Sequence, residues 1–426
     1  MRYGFGFLGV FALSLMLSIG CSEGGTGDGG PVLISARDGG NASDPEVTVD
    51  PSGNAVAVFS QSDGTRHSIF ANRFTPTAGW GAPEQIADDA SSAHGAQVAV
   101  DSSGNAVAVW VQSDSIFANR FTPTAGWGAP EVIGVGFVDA APQVAVDSSG
   151  NAVAVWEQFN TFANRFTPTA GWGAPEVIGV GVGPQVAVDP SGNAVAVGQL
   201  FVDGTHHIFA NRFTPTAGWG APEVVDDDDG ADARGAQVAV DPSGNAVVVW
   251  EQSEGVPAPY TIFANRFTPT AGWGAPEQIE TDDGGYAAYP QVAVDTSGTA
   301  VAVWMQSEGD RFNIFANRFT PAAGWGAAEQ IETGDYAAYP QVAVDPSGNA
   351  IAVWQQQGGA RDTIFANRFT PTAGWGAAER IETDDEVDAF LPQVAVDPSS
   401  NAVVVWVQSD GTRYSIWANR FDEMFP

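Results

Sequence analysis

One unit recurs along most of this chain, and that repetition limits the possible folds more than any other feature. Its clearest copy begins at Gln97 and reads QVAVDSSGNAVAVWVQ, then a short variable stretch, then SIFANRFTPTAGWGAPEVI. Equivalent units begin at Glu46, Gln97, Gln143, Gln185, Gln237, Gln291, Gln341 and Gln393, roughly 42 to 54 residues apart. At such a period each copy is one supersecondary unit that buries its apolar face against its neighbours. The 426 residues therefore predict one repetitive domain over 31–426 rather than several unrelated ones.

Each unit reads as four short strands. Gln97 to Asp101 is β-branched and apolar on alternate positions, whereas Ala106 to Trp110 is apolar throughout, as expected of a strand covered on both faces. The intervening Asp-Pro/Ser-Ser-Gly-Asn is a tight hairpin connection. Glycine supplies a positive φ there, and Asp or Asn bonds the local backbone. A third strand spans Ile116 to Phe121 and stops at Thr122-Pro123, since proline cannot donate to the ladder. The turn Thr124-Ala125-Gly126 and Trp127 then lead to a fourth strand around Glu131 to Ile133. No segment has helical period. Four-stranded antiparallel units at this spacing predict an all-β chain built as an eight-bladed β-propeller.

The chain ends support a closed ring. The last unit stops after its third strand, at Ile416 to Phe421, with no fourth-strand segment. Pro31 to Ala36 aligns with Pro276 to Thr281, so the missing strand is expected from the N-terminus, with 31–36 completing the last blade and removing its open edge. The hairpin VAVDPSGNAVAV is similar to the first half of NHL-type propeller repeats. That resemblance implies a propeller and covers about a third of each unit. The ANRF…GWGAPE half departs from it.

Ahead of the repeats, Arg2 and the apolar stretch Phe5 to Ile19 have the layout of a signal peptide over 1–20, too short to span a membrane comfortably. Its end, Leu17-Ser18-Ile19-Gly20-Cys21, resembles a bacterial lipobox, although Ser18 stands where that motif usually has Leu. The resemblance implies lipidation at Cys21, the single cysteine, followed by a flexible tether over 21–30. The expected location is the cell envelope, at the outer membrane or cell surface, with the membrane reached through the lipid. Fifty acidic residues stand against 16 basic ones, all Arg, for a net charge of −34. Such a surface repels nucleic acid and anionic lipid head groups. A monomer is expected.

Variation among the copies is confined to one side. In a four-stranded meander the first–second and third–fourth turns share one face, and here they hardly vary. The second–third and inter-blade loops share the other face, and they differ in length and charge. Loops of that kind carry binding sites on a rigid scaffold. The same layout brings the tether in at the uniform face.

Several chemistries find no support. The Arg of ANRF and the fourth-strand Glu recur in nearly every blade, and a ring of copies is not an asymmetric catalytic cluster. They read as structural pairs. His67, His94, His206 and His207 show no zinc spacing. No cofactor is expected. The Asp-x-Ser-Gly-Asn turns, such as Asp50, offer calcium some oxygens but lack the alternating carboxylates of an EF-hand loop. The acidic run Asp226 to Asp229 reads as solvated.

The asymmetric feature is aromatic. Tyr286, Tyr289, Tyr336 and Tyr339 lie in two consecutive inter-blade loops that both end Tyr-Ala-Ala-Tyr-Pro. Phe390 follows in the next one, and Tyr260 sits in a neighbouring second–third loop. These six are the candidate ligand-binding residues, suited to stacking a saccharide or anchoring a protein. Alternatively, the rings cover the tops of their own blades. The leading expectation is a non-catalytic lipoprotein presenting this face to a protein or carbohydrate partner. A propeller hydrolase or lyase, and a purely structural surface component, are the other readings.

Overall fold

The computed structural model describes residues 30–422 apart from 38, 89, 137–141, 227–230, 254–258, 281–284, 335, 360 and 383–386. Cys21 and the signal-like segment lie outside the described residues. Eight antiparallel sheets stand around a central channel, and no helix occurs among the described residues. The fold is an eight-bladed β-propeller.

Blade 1 shows the pattern. Ala42–Val49, Ala55–Ser62 and His67–Thr75 pair in sequence, and the outer edge is two short pieces, Gly79–Trp80 and Glu84–Gln85. The first strand of each blade contacts the first strands on either side, from Ala42–Val49 round to Ala389–Val396 and back, so these eight strands line the channel. The second strands are sandwiched between neighbouring blades, and every residue of Ala106–Gln112 is buried. Their apolar run therefore faces protein on both sides. Trp110, Trp156, Trp250, Trp304, Trp354 and Trp406 are fully buried at the same position in six blades.

Blade 8 consists of Ala389–Val396, Ala402–Ser409, Tyr414–Phe421 and the N-terminal Val32–Leu33. Val32 pairs with Ala418 and Leu33 with Trp417, as Glu131 and Val132 pair with Ala118 and Phe117 in blade 2. The ring is closed by its two ends.

Three repeated side chains join each blade to the next. Asn119 donates to the Ile86 carbonyl of the preceding blade at 3.0 Å and to its own blade's Gly128 carbonyl. At the closure, Asn72 does the same with Ile34, at 2.8 Å. The Arg of ANRF lies over the Phe of the following blade, as Arg73 does over Phe121 at 5.0 Å. Its ion pair is a lesser contact: Arg368 meets Glu379, and Arg420, whose fourth-strand partner is replaced by Val32, meets Asp422. The hairpin aspartate is saturated locally. Asp50 Oδ1 accepts the Ser52 and Asn54 amides at 2.8 and 3.0 Å, and Oδ2 accepts Asn54 Nδ2 at 2.7 Å. These bonds cap the turn with its own backbone and side chains. The next hairpin rests on that carboxylate. A Cβ at Gly104, where φ is +78°, would lie 2.8 Å from Asp50 Oδ2. Blade 8 alone has Ser400 there, and its hydroxyl bonds Asp345 at 2.5 Å.

Candidate functional site

In every blade but the third, the first strand begins upstream of the repeat start and carries a β-bulge where it reaches the variable face. In blade 6 the register shifts between Ala288 and Gln291. The residue one before the Pro or Ala preceding Gln takes a left-handed conformation. It is glycine in blades 2, 4 and 5, at Gly95, Gly183 and Gly235, but Asp44, Tyr289, Tyr339 and Leu391 in blades 1, 6, 7 and 8, with φ between 52° and 55°. An L-residue there costs roughly 1–2 kcal/mol relative to glycine. Consecutive blades thus place Tyr289, Tyr339 and Leu391 at the channel mouth, exposed at 47%, 42% and 38%.

Tyr289 and Tyr339 meet there with ring centroids 5.1 Å apart. Beside them is a cleft of ≈ 380 Å³ walled by Arg234, Glu251, Tyr286 and Tyr289, with Gln237 and Gln291 from the first strands. Seven blades have Gln at this first-strand position and blade 1 has Glu46, so the mouth has a collar of amides with one carboxyl. Glu46 accepts Gln97 Nε2 at 2.9 Å. Burial in the channel wall pushes its carboxyl up to about 7, against the Gln97 bond.

A connected polar network backs the cleft. Arg234 Nε bonds the buried Glu251 carboxylate at 2.9 Å, and its NH2 donates to Tyr286 Oη at 2.8 Å. The guanidinium also lies 3.8 Å above the Tyr260 ring. Glu251 uses its other oxygen to accept the Tyr289 amide, at 2.8 Å, which fixes the strained bulge. Tyr260 donates to Asp232, whose second oxygen meets His206 Nδ1, both at 2.8 Å. Partial burial works against the Arg234 charge, but the Glu251 pair outweighs it and raises its pKa. Burial raises Tyr260, Tyr286 and Tyr289, so all three stay protonated.

The structure divides the six aromatic residues singled out in the sequence. Tyr260, Tyr286 and Tyr336 form a row across the blade tops, linked edge to face through Phe312 at 5.9, 6.3 and 5.3 Å. Tyr289 and Tyr339 stand apart from that row, at the mouth. Phe390 joins neither group in ring contact. It packs on Tyr414 of its own blade at 5.3 Å. Sequence reading missed Arg234, Glu251 and Phe312. Arg234 alone could have been found, as the one arginine in any first strand. Asp226, expected to be solvated, is instead buried against His207 Nδ1 at 3.0 Å; 227–230 lie outside the described residues. No group of three or more His, Cys, Asp or Glu is gathered as a metal site among the described residues.

No protein-family model matches this chain, and no curated protein matches it significantly. Solved structures do. An ulvan lyase from a new polysaccharide lyase family, solved with saccharide bound, superimposes with a TM-score of 0.55 at 9% identity, over 76% of this chain and 91% of its own. The polysaccharide lyase Uly1 gives 0.52 at 9% identity, over 75% and 88%. A protein of unknown function from Dyadobacter fermentans covers 92% of this chain and 97% of its own at 14% identity, with a TM-score of 0.47. The likeness is one of fold. At such identities it transfers no active site.

Proposed function

We propose that this chain is a non-catalytic glycan-binding propeller that takes a neutral saccharide chain at the channel mouth over blades 5 to 7. The observation that carries the reading is the pair Tyr289 and Tyr339, both exposed and both held at a φ that three other blades satisfy with glycine. Such rings are unfavourable twice over, in conformation and in solvation, and local strain of this kind collects at functional sites. Exposed aromatic faces stack against the C–H faces of sugar rings. The Gln collar and the Tyr286 hydroxyl add donors and acceptors for hydroxyl groups.

The lining chemistry favours binding over turnover. Lyase action on a uronate needs a proton acceptor and a cation to neutralise the sugar carboxylate. Here the tyrosines are held protonated and Arg234 is already paired with Glu251. Hydrolysis through two carboxylates needs both free to act on the bond, yet Glu251 and Asp232 are occupied by Arg234, the Tyr289 amide, His206 and Tyr260. The fold shared with ulvan lyases favours the catalytic alternative and keeps it worth testing. A lipid on Cys21 would hold the uniform face toward the membrane and the channel mouth outward.

A glycan array of neutral and uronate-containing polysaccharides, followed by product analysis, tests the proposal. The expected result is retention of a neutral glycan with no new reducing ends or unsaturated sugars. Cleavage of a uronate polymer, or no retention of any glycan, overturns it.

A further inference from the structure

We propose a second saccharide site, for a single neutral hexose unit, in the cleft at the seam where the ring closes between blades 8 and 1. It is a separate site on different blades, and it does not depend on the channel-mouth reading.

The cleft lies beside the N-terminal strand as it leaves the closing blade. The N-terminal strand pairs only through Val32 and Leu33, the amides of Ile34 and Ser35 both donate to the Ile416 carbonyl at 2.9 and 3.3 Å, and the chain then turns away. Gln61 pins the departing segment, donating to the Ala36 carbonyl at 3.0 Å and accepting its amide at 3.1 Å. Between that segment and the blade 1 loops is a space of ≈ 320 Å³, lined by Arg66, Ser68, Phe70, Gln85 and Asp88 among others. This is at the small end of ligand sites, suited to one sugar ring rather than a chain.

The loop that frames it is rigid. Asp63 Oδ1 accepts the Thr65 amide and hydroxyl, both at 2.7 Å, and the Arg66 amide at 2.8 Å. Blade 8 has the same loop, with Asp410 accepting the Thr412 and Arg413 amides at 2.8 and 2.9 Å. The two copies differ in what they present. Blade 8 places Tyr414 and Trp417 where blade 1 places His67 and Phe70, and Arg413 reaches across to the Gly39 carbonyl at 2.9 Å. Blade 1 carries the smaller residue at each of these positions.

The lining chemistry selects the ligand class. Phe70 supplies an aromatic surface, Arg66 and Gln85 supply donors, and Asp88 supplies acceptors. Arg66 stands against two carboxylates in the lining, Asp63 and Asp88, which disfavours an anion. Ser68 also lines the cleft, although its Oγ is buried without a hydrogen-bond partner.

Saturation-transfer NMR on the whole protein with glucose, galactose and mannose, each tested alone, examines this site. At least one should give transfer that is lost, or weakened by about tenfold, in Phe70→Trp, a residue blade 8 carries natively, and in Ser91→Tyr, at a further residue that lines the cleft. The same transfer should persist in Tyr289→Gly/Tyr339→Gly. Melting curves confirm that each variant is folded, and either cleft variant suffices if the other is not. Absence of transfer from all three sugars overturns the proposal, as does transfer unchanged in a folded cleft variant. Loss in the tyrosine variant overturns it too, by assigning the sugar to the channel mouth.

Discussion

Arg420, near the end of the last blade, lies over the Phe74 ring of the first, with its guanidinium carbon 4.9 Å from the ring centroid. Every other seam uses the same contact, from Arg73 over Phe121 to Arg368 over Phe421. The closing seam is therefore chemically equivalent to the internal ones, although its two blades lie at opposite ends of the chain. Asn72 adds its bond to the Ile34 carbonyl, so the N-terminal strand is held by both blades it separates.

Closure is the first expectation to test. Ile34 is 1% exposed, in a cluster with Phe59, Val405 and Ile416. Ile34→Ala should cost about 2–4 kcal/mol, as buried large-to-small changes do, read as a lowered denaturation midpoint. Deleting 31–36 should go further and expose a sheet edge, giving association on a sizing column. An unchanged monomeric deletion variant would rule out closure by that strand.

The hairpin ring makes a paired test. Gly79 and Gly104 both have positive φ, but a Cβ at Gly79 meets nothing within 4 Å whereas one at Gly104 meets Asp50 at 2.8 Å. Gly79→Ala should cost about 1 kcal/mol in conformation alone. Gly104→Ala should cost measurably more in urea titration, because the Asp50 carboxylate is held by three bonds and cannot move aside freely. Equal losses would mean that the seam does not rest on that contact.

Glu46 gives a pH dependence with a definite sign. Its carboxyl, at 4.5 in an unfolded chain, rises to about 7 in the channel wall, where burial outweighs the Gln97 bond and Asp44 adds repulsion. The folded state thus holds the proton more tightly, and stability falls as pH rises from 4.5 through 7. Glu46→Gln restores the amide of the other seven blades. It should stabilise the protein at about pH 8 by up to about 3 kcal/mol, with that gain vanishing by about pH 4. Melting temperatures of the two proteins across this range check it, and a gain independent of pH would contradict it.

The repeat made the architecture legible because strand period, turn chemistry and blade spacing are all local patterns, copied eight times. The missing fourth strand after Phe421 and the unpaired Pro31 to Ala36 showed the closure for the same reason. The site was only half legible. Tyr289 and Tyr286 belong to one motif, yet the bulge sends one to the channel mouth and the other to the blade tops. Nothing in the residue types marks a position that is Gly, Tyr, Leu or Asp in different blades. Arg234 and Tyr286 are 52 positions apart, so their bond depends on the stacking of two blades. Phe390 lies in the loop corresponding to those of the tyrosines, but its partner Tyr414 comes from the third strand of its own blade.

The most direct measurement is a paired one on Tyr289→Gly/Tyr339→Gly: calorimetric affinity for the glycan retained by the native protein, and the melting temperature. Replacing both rings with the glycine of blades 2, 4 and 5 should weaken binding by about tenfold or more while leaving stability equal or higher by about 1 kcal/mol. Binding that survives intact in a folded double variant would contradict the account, and so would a loss of stability large enough to show that the two rings serve the fold.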